Sequence, residues 1–292
     1  MSLLTWLQNR KRDLAGKRKA AHASPCRRGI FRPQLQVLEG RDVPSTLTVT
    51  TTADSLNSGA FAPGSLRDEI AVARSGDTIV FDSSLKGQTI TLNGGIGELY
   101  IDKNLDIEGL GAKNLAISGA GSRVFDVAAN VRVTLAGMTI ENGDGYYSSN
   151  GVAWGDSYYG HGGGILNFGT LTVSGCTVTG NDAASGGGGI ANDFGGTLMI
   201  SGSTVSNNSS DTWYGISEYG GGGIYNDGTM TLSGSSVTQN SGGDIFNDYS
   251  GVLTILSSTV NSNKHYEHYW ADLYNLGAWS ADSSSTIGTV GP

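Results

Sequence analysis

Charge, proline and cysteine are all scarce in this chain. Charged residues are 15% of its 292, with 5 prolines and 2 cysteines. So little charge argues against a chain kept unfolded by self-repulsion. Cys26 and Cys176 make no disulfide framework. Cys176 stands where equivalent repeats carry Ser, and it reads as a small core filler. No stretch approaches the ~20 apolar residues of a membrane helix, so no transmembrane segment is expected. The one apolar run near the start, Leu3 to Leu7, is too short for the core of a standard signal peptide. Ala, Leu, Glu and Lys do not dominate, which argues against long helices. Cations nearly vanish from the body: after Arg132 the only Lys or Arg is Lys264. No cationic stripe exists to displace the counterions of nucleic acid, so no nucleic-acid partner is expected.

Glycine is abundant, with 46 residues, but without the Gly-X-Y period of collagen. Charge is divided along the chain. Residues 1–44 hold ten Lys/Arg against three Asp/Glu (+7), and residues 45–292 hold eight against twenty-three (−15). The basic runs Arg10-Lys11-Arg12 and Lys17-Arg18-Lys19 have a generic nuclear or nucleic-acid reading. A basic head on an acidic body fits a leader followed by a mature domain better. The expected division is a basic leader at 1–45, mostly disordered or helical and outside the packed domain, then one domain at 46–292.

Repeats decide the fold. Gly162-Gly163-Gly164-Ile165-Leu166-Asn167 aligns with Gly187-Gly188-Gly189-Ile190-Ala191-Asn192, then with Gly221-Gly222-Gly223-Ile224-Tyr225-Asn226 and Gly242-Gly243-Asp244-Ile245-Phe246-Asn247. A worn copy is Ala271-Asp272-Leu273-Tyr274-Asn275. Each of the first four copies is followed by two short β-rich runs, the second ending at Asn181, Asn208, Asn240 or Asn263. The steps between the repeated Ile or Leu are 25, 34, 21 and 28 residues, and the variation falls at one place in the unit. Runs of three to five β-formers alternate inward and outward, with Gly and Asn at the turns. One unit cannot bury its own apolar face, but a stack of them can. Weaker copies upstream bring the expectation to nine or ten coils. The fold class is all-β: a single-stranded right-handed parallel β-helix. The repeated Asn should stack as ladders inside the bends, and Ile165, Ile190, Ile224 and Ile245 should point inward and stack. Ser65 should N-cap a short helix, with Asp68 at the N3 place of a capping box. Leu66, Ile70 and Ala73 share one face, which suits a lid on the exposed end of the solenoid. An active-site role for Arg67 and Glu69 is the weaker reading.

Three features resemble known proteins. Gly64-Ser65-Leu66-Arg67-Asp68-Glu69-Ile70 resembles the "CSLREAI" opening of bacterial surface β-helix proteins, with Gly in place of the leading Cys. The Gly-Gly-Gly-Ile-x-Asn coils are similar to those of polymorphic outer-membrane-protein-type and pectate-lyase-like β-helices. Together they cover about residues 46–280. Leu38-Glu39-Gly40-Arg41-Asp42-Val43-Pro44-Ser45 resembles the leader of large exported proteins of planctomycete bacteria, with Ser45 where Ala is usual. The resemblances imply a secreted or cell-surface protein. This architecture hosts adhesins, lyases and hydrolases alike, so fold does not choose among them.

An enzyme of this fold would be a polysaccharide lyase or a glycoside hydrolase. The lyase reading is poor, because it implies a cationic base and after Arg132 the only one is Lys264. A hydrolase needs two carboxylates at a set separation, and Asp144, Asp156, Asp211, Glu218 and Glu267 are weak candidates. His161, His265 and His268 lack a surrounding cluster at zinc spacing, so no metal site is assigned. Calcium on the loop carboxylates is conceivable, but the calcium nonapeptide repeat is absent. The glycine runs lack the Lys-Ser/Thr of a phosphate loop. The stronger signal is aromatic. Three inserts occupy the same point of the unit: Gly143–His161, Ser209–Tyr219 and Lys264–Trp270. They hold Tyr146, Tyr147, Trp154, Tyr158, Tyr159, Trp213, Tyr214, Tyr219, Tyr266, Tyr269 and Trp270, eleven of the 24 aromatic residues. Inserts at one point should project from one side, where rings stack on sugars and carboxylates accept hydroxyl hydrogen bonds. The expectation is a non-catalytic binder of polysaccharide or cell-surface glycan. The rivals are a polysaccharide-degrading enzyme and a purely structural surface domain. The competing reading of the inserts is that they bury their own rings.

Overall fold

The computed structural model describes residues 44–145, 160–210, 220–261 and 271–291. The expected leader falls outside these residues except for Pro44 and Ser45. The described chain winds through three sheets in turn. Sheet 1 has nine strands, from Thr46–Val49 to Ala278–Ala281; sheet 2 has eight, from Gln88–Thr91 to Thr286–Ile287; sheet 3 has seven, from Leu99–Ile101 to Leu273–Asn275. Neighbours within each sheet are one coil apart and parallel. This is a parallel β-helix, right-handed as parallel crossovers are in nearly all proteins.

The register follows the repeat. Ile165, Ile190, Ile224, Ile245 and Leu273 are direct partners up sheet 3, and each is 0% exposed. Each such burial stabilises by about 1.5–3 kcal/mol, and the column shares one core with Leu171, Leu198 and Met230 of sheet 1. Alternation is strict in Thr170–Ser174, where Leu171 and Val173 are buried between half-buried neighbours.

Each glycine of the run answers a different demand. Gly162, Gly187 and Gly221 take φ of +63°, +65° and +89°, a region that other residues adopt only with strain. At the second place there is no room: a Cβ on Gly163, Gly188 or Gly222 would lie 2.0, 1.9 or 1.9 Å from a carbonyl of the next coil. The third, at Gly164, Gly189 and Gly223, lies against the side-chain amides of Asn181, Asn208 and Asn240.

Those asparagines form ladders. Up sheet 3, Asn167 Nδ2 donates to Asn192 Oδ1 at 2.7 Å, and the series continues through Asn226 and Asn247 to Asn275. After sheet 2, Asn181 donates to Asn208 at 2.9 Å and Asn208 to Asn240 at 3.0 Å. Asn263 lies outside the described residues. The acceptor after Asn240 is Asp244 Oδ1 at 2.8 Å, the residue standing in the third-glycine place of its own coil. A third ladder explains the Cys176 position. The N–H groups of Cys176, Ser203 and Ser235 donate to the hydroxyls of Ser203, Ser235 and Ser258, each at 3.1 Å. The Cys176 thiol is buried, which pushes its pKa up.

Helix α1 (Leu66–Val72) covers the first coil. Ser65 caps it, accepting from the Asp68 N–H, and Leu66, Ile70 and Ala73 are buried. The Asp68 carboxylate accepts from Gly64, one residue before the cap, so the reciprocal bond of a full capping box is displaced. Arg67 fastens the lid: it forks onto Asp54 at 2.7 and 2.8 Å and donates to the carbonyls of Gly97 at 2.6 Å and Glu98 at 2.8 Å. Arg67 is thus committed to structure.

Candidate functional site

The three inserts leave the solenoid at one corner. The first joins sheet 2 strand Thr139–Glu141 to sheet 3 strand Ile165–Asn167, the second joins Thr204–Ser206 to Ile224–Asn226, and the third joins Thr259–Asn261 to Leu273–Asn275. One coil without a long insert separates each from the next, so their roots are two coils, about 9.6 Å, apart. The corner is held in register by short parallel pairing. Asp144 bridges to Asp182, Asp182–Ala183 pairs with Ser209–Ser210, and Ser209 bridges to Ser241. The eleven insert aromatics lie outside the described residues, as do Asp156, Asp211, Glu218, Glu267, His265 and His268. Asp144 is described; it is half-buried at the root of the first insert, where its N–H donates to Ser122 O at 3.0 Å.

Beside this corner, the outward face of sheet 3 is unexpectedly buried. Leu166, Ala191, Tyr225 and Phe246 form a second apolar cluster, packed with Phe168, Tyr274 and Leu276. The rings of Tyr225, Phe246 and Tyr274 stack at 5.9 and 5.1 Å between centroids, with His161 at 4.9 Å from Tyr225. Polar groups edge the cluster. His161 Nδ1 lies 3.2 Å from Asp193 Oδ2, and Tyr225 donates to Asp248 Oδ2 at 2.6 Å. Burial and Asp248 push the Tyr225 pKa far up, so the phenol stays protonated. Asp227 accepts from Ser250, and burial raises its pKa. Lower on the same side, Arg123 donates to the carbonyls of Gly162 and His161, both at 2.8 Å, beside Asp126 at 3.7 Å. Burial pushes Asp126 up to about 6 despite this neighbour. The acids here are tied to hydrogen-bond or ion-pair partners within the strip, which suits a scaffold. Among the described residues, no group of three or more His, Cys, Asp or Glu is placed to hold a metal ion.

The other end of the sheet 3 strands presents aromatics that sequence reading missed. Phe194 and Tyr249 are 68% and 76% exposed. Both follow the ladder Asn by two residues, and the Asp between them accepts their N–H, Asp193 for Phe194 and Asp248 for Tyr249. They too sit two coils apart. The shared pattern Asn-Asp-aromatic, in Asn192-Asp193-Phe194 and Asn247-Asp248-Tyr249, was the available signal.

Comparison with protein-family models, with curated proteins and with solved structures returns no match for this chain. Among the described residues, no helix is long and apolar enough to cross a membrane.

Proposed function

We propose that this chain is a secreted or cell-surface β-helix that binds polysaccharide or cell-surface glycan through its aromatic inserts, without catalysis. The observation that carries this reading is the stacking of the three insert roots on one corner, in alternate coils. Aromatic side chains rooted at a regular spacing along one edge suit a repeating polymer, and two coils is close to the advance of a disaccharide. Phe194 and Tyr249 repeat that spacing at the opposite corner, on a rigid turn, as platforms for sugar C–H faces. The resemblance of the opening to bacterial surface β-helices, and of the head to exported planctomycete proteins, supports an extracellular location. A glycan-array screen of the full chain tests the reading, with release of reducing ends assayed on every hit. Binding without release is expected. Release would establish a polysaccharide-degrading enzyme, and no binding to any glycan would leave the structural reading standing.

A further inference from the structure

Phe194 and Tyr249 share their corner with a column of acids. The turns from sheet 3 to sheet 1 follow the ladder asparagines, and in three successive coils the next residue is Asp193, Asp227 or Asp248. In the first and third of these coils an aromatic follows the acid, whereas Asp227 is followed by Gly228. The two rings therefore stand two coils, about 9.6 Å, apart, with Asp227 in the coil between them. Both rings are largely exposed.

The three acids are not equivalent. Asp193 and Asp248 are buried and spent. Each accepts the N–H of the aromatic that follows it. Asp193 also faces His161 Nδ1, and Asp248 accepts from Tyr225. Asp227 is half-buried, and its Oδ1 accepts from the exposed Ser250. Its Oδ2 has no hydrogen-bond partner and is not sealed from solvent. Two basic groups face this strip. His161 is held by Asp193 and acts on Asp227 only from a distance, and Arg123 is engaged by Asp126 and by two carbonyls. Burial, then the charges of Asp248 and Asp193, push the Asp227 pKa up against the Ser250 hydrogen bond. A cation beside Asp227 would relieve that crowding.

The geometry points to this corner as a binding site for an amino-sugar polymer, a β-linked glucosamine chain with free ammonium groups. Phe194 and Tyr249 stack on alternate sugars, and Asp227 takes the ammonium of the sugar between them. Alternate sugars of a flat β-linked chain present the same face, which suits two rings on one side of the solenoid. The acid column repels polymers of uronic acid, and the −15 charge of residues 45–292 acts in the same sense. This inference rests on the glycan reading and names the class of sugar.

The test is a titration of the full chain at mildly acid pH with three hexamers, of glucosamine, N-acetylglucosamine and galacturonate. Occupancy of this corner is read from the amide shifts of residues 193–195 and 248–250, separately from any binding at the inserts. The glucosamine hexamer should bind about tenfold or more tightly than its acetylated form, which keeps the rings and loses the charge. The galacturonate hexamer should leave these amides unmoved. Asp227→Asn still accepts from Ser250; it should abolish the preference and leave N-acetylglucosamine binding unchanged. Phe194→Ala and Tyr249→Ala, at exposed positions, should weaken both amino-sugar hexamers several-fold. Asp106→Asn removes the same charge from an exposed place on sheet 1 and should change nothing. The inference is overturned if either other hexamer binds here as tightly as glucosamine, if Asp227→Asn keeps the preference, or if Asp106→Asn lowers it as much. Those outcomes leave the glycan reading standing. If no hexamer moves these amides the inference also falls, and the glycan reading falls with it only if the array shows no binding either.

Discussion

The early coils and the later ones close the same corner with different chemistry. Before sheet 3 in the first coil, Arg67 gathers the carbonyls of Gly97 and Glu98. Further up, Arg123 gathers those of His161 and Gly162. In the coils above, the corner is held by Asn181, Asn208 and Asn240 stacked amide on amide, with glycine making room. An arginine reaches several acceptors at once with a rigid fork, but each brings a charge that needs an acid, here Asp54 or Asp126. An asparagine is neutral and self-complementary, so its ladder extends from coil to coil without a counterion. The first long insert is rooted where the two chemistries meet, with the Gly143 N–H on Asn181 Oδ1 at its start and Arg123 on the carbonyls of His161 and Gly162 at its end, while the second starts beside the ladder Asn208.

The comparison can be broken at the core, at the clamps and at the ladder, in falling order of effect. Ile190→Asp puts a charge into the stack shared by every ladder coil. It should cost more than about 4 kcal/mol and abolish cooperative melting; a melting temperature equal to the native one would refute the register. Arg67→Met leaves the Asp54 carboxylate and two carbonyls without their buried partner, and should cost about 3–5 kcal/mol in denaturant unfolding. Asn208→Ala removes one neutral rung and should cost less, about 1–3 kcal/mol. If the asparagine change proves the more damaging, charged clamps and neutral rungs do not differ as described.

A change of pH sharpens the comparison at the end of the ladder, where Asp244 accepts from Asn240. Burial pushes this carboxyl up to about 8, and its Oδ2 has no hydrogen-bond partner. Below about pH 4 it is protonated both folded and unfolded. As pH rises towards 8, the unfolded chain releases the proton and the folded chain keeps it. Its contribution to stability is therefore full at acid pH, is lost through that window, and is flat above it. Asp244→Asn makes the rung neutral at every pH. The variant should match the native chain near pH 4 and gain on it up to about pH 8, by at most about 1.4 kcal/mol per unit. Parallel stability curves for the two proteins would place the charge elsewhere.

The ladder coils were legible in the sequence because each restates the others: Gly, Ile and Asn recur in phase, and the inward Ile column follows from period-two alternation. The arginine clamps were not legible. Their acceptors are carbonyls some thirty to forty residues away, and a carbonyl leaves no mark on residue type. The buried outer face of sheet 3 was hidden for a different reason. Alternation marks Leu166, Ala191, Tyr225, Phe246 and Tyr274 as outward, which they are, yet four of the five are fully buried. Their unbroken apolar character was the clue. For the aromatic inserts, sequence position located the common corner, while the ring placements lie outside the described residues.

The account stands or falls on whether the aromatic inserts are a binding surface. The direct measurement is glycan affinity of the full chain with Trp154, Trp213 and Trp270 all changed to Ala, beside its melting temperature. Three stacking contacts at roughly 1 kcal/mol each predict about a hundredfold loss of affinity, with melting unchanged because all three belong to inserts between the repeated strands. Native affinity in the triple variant would contradict the account.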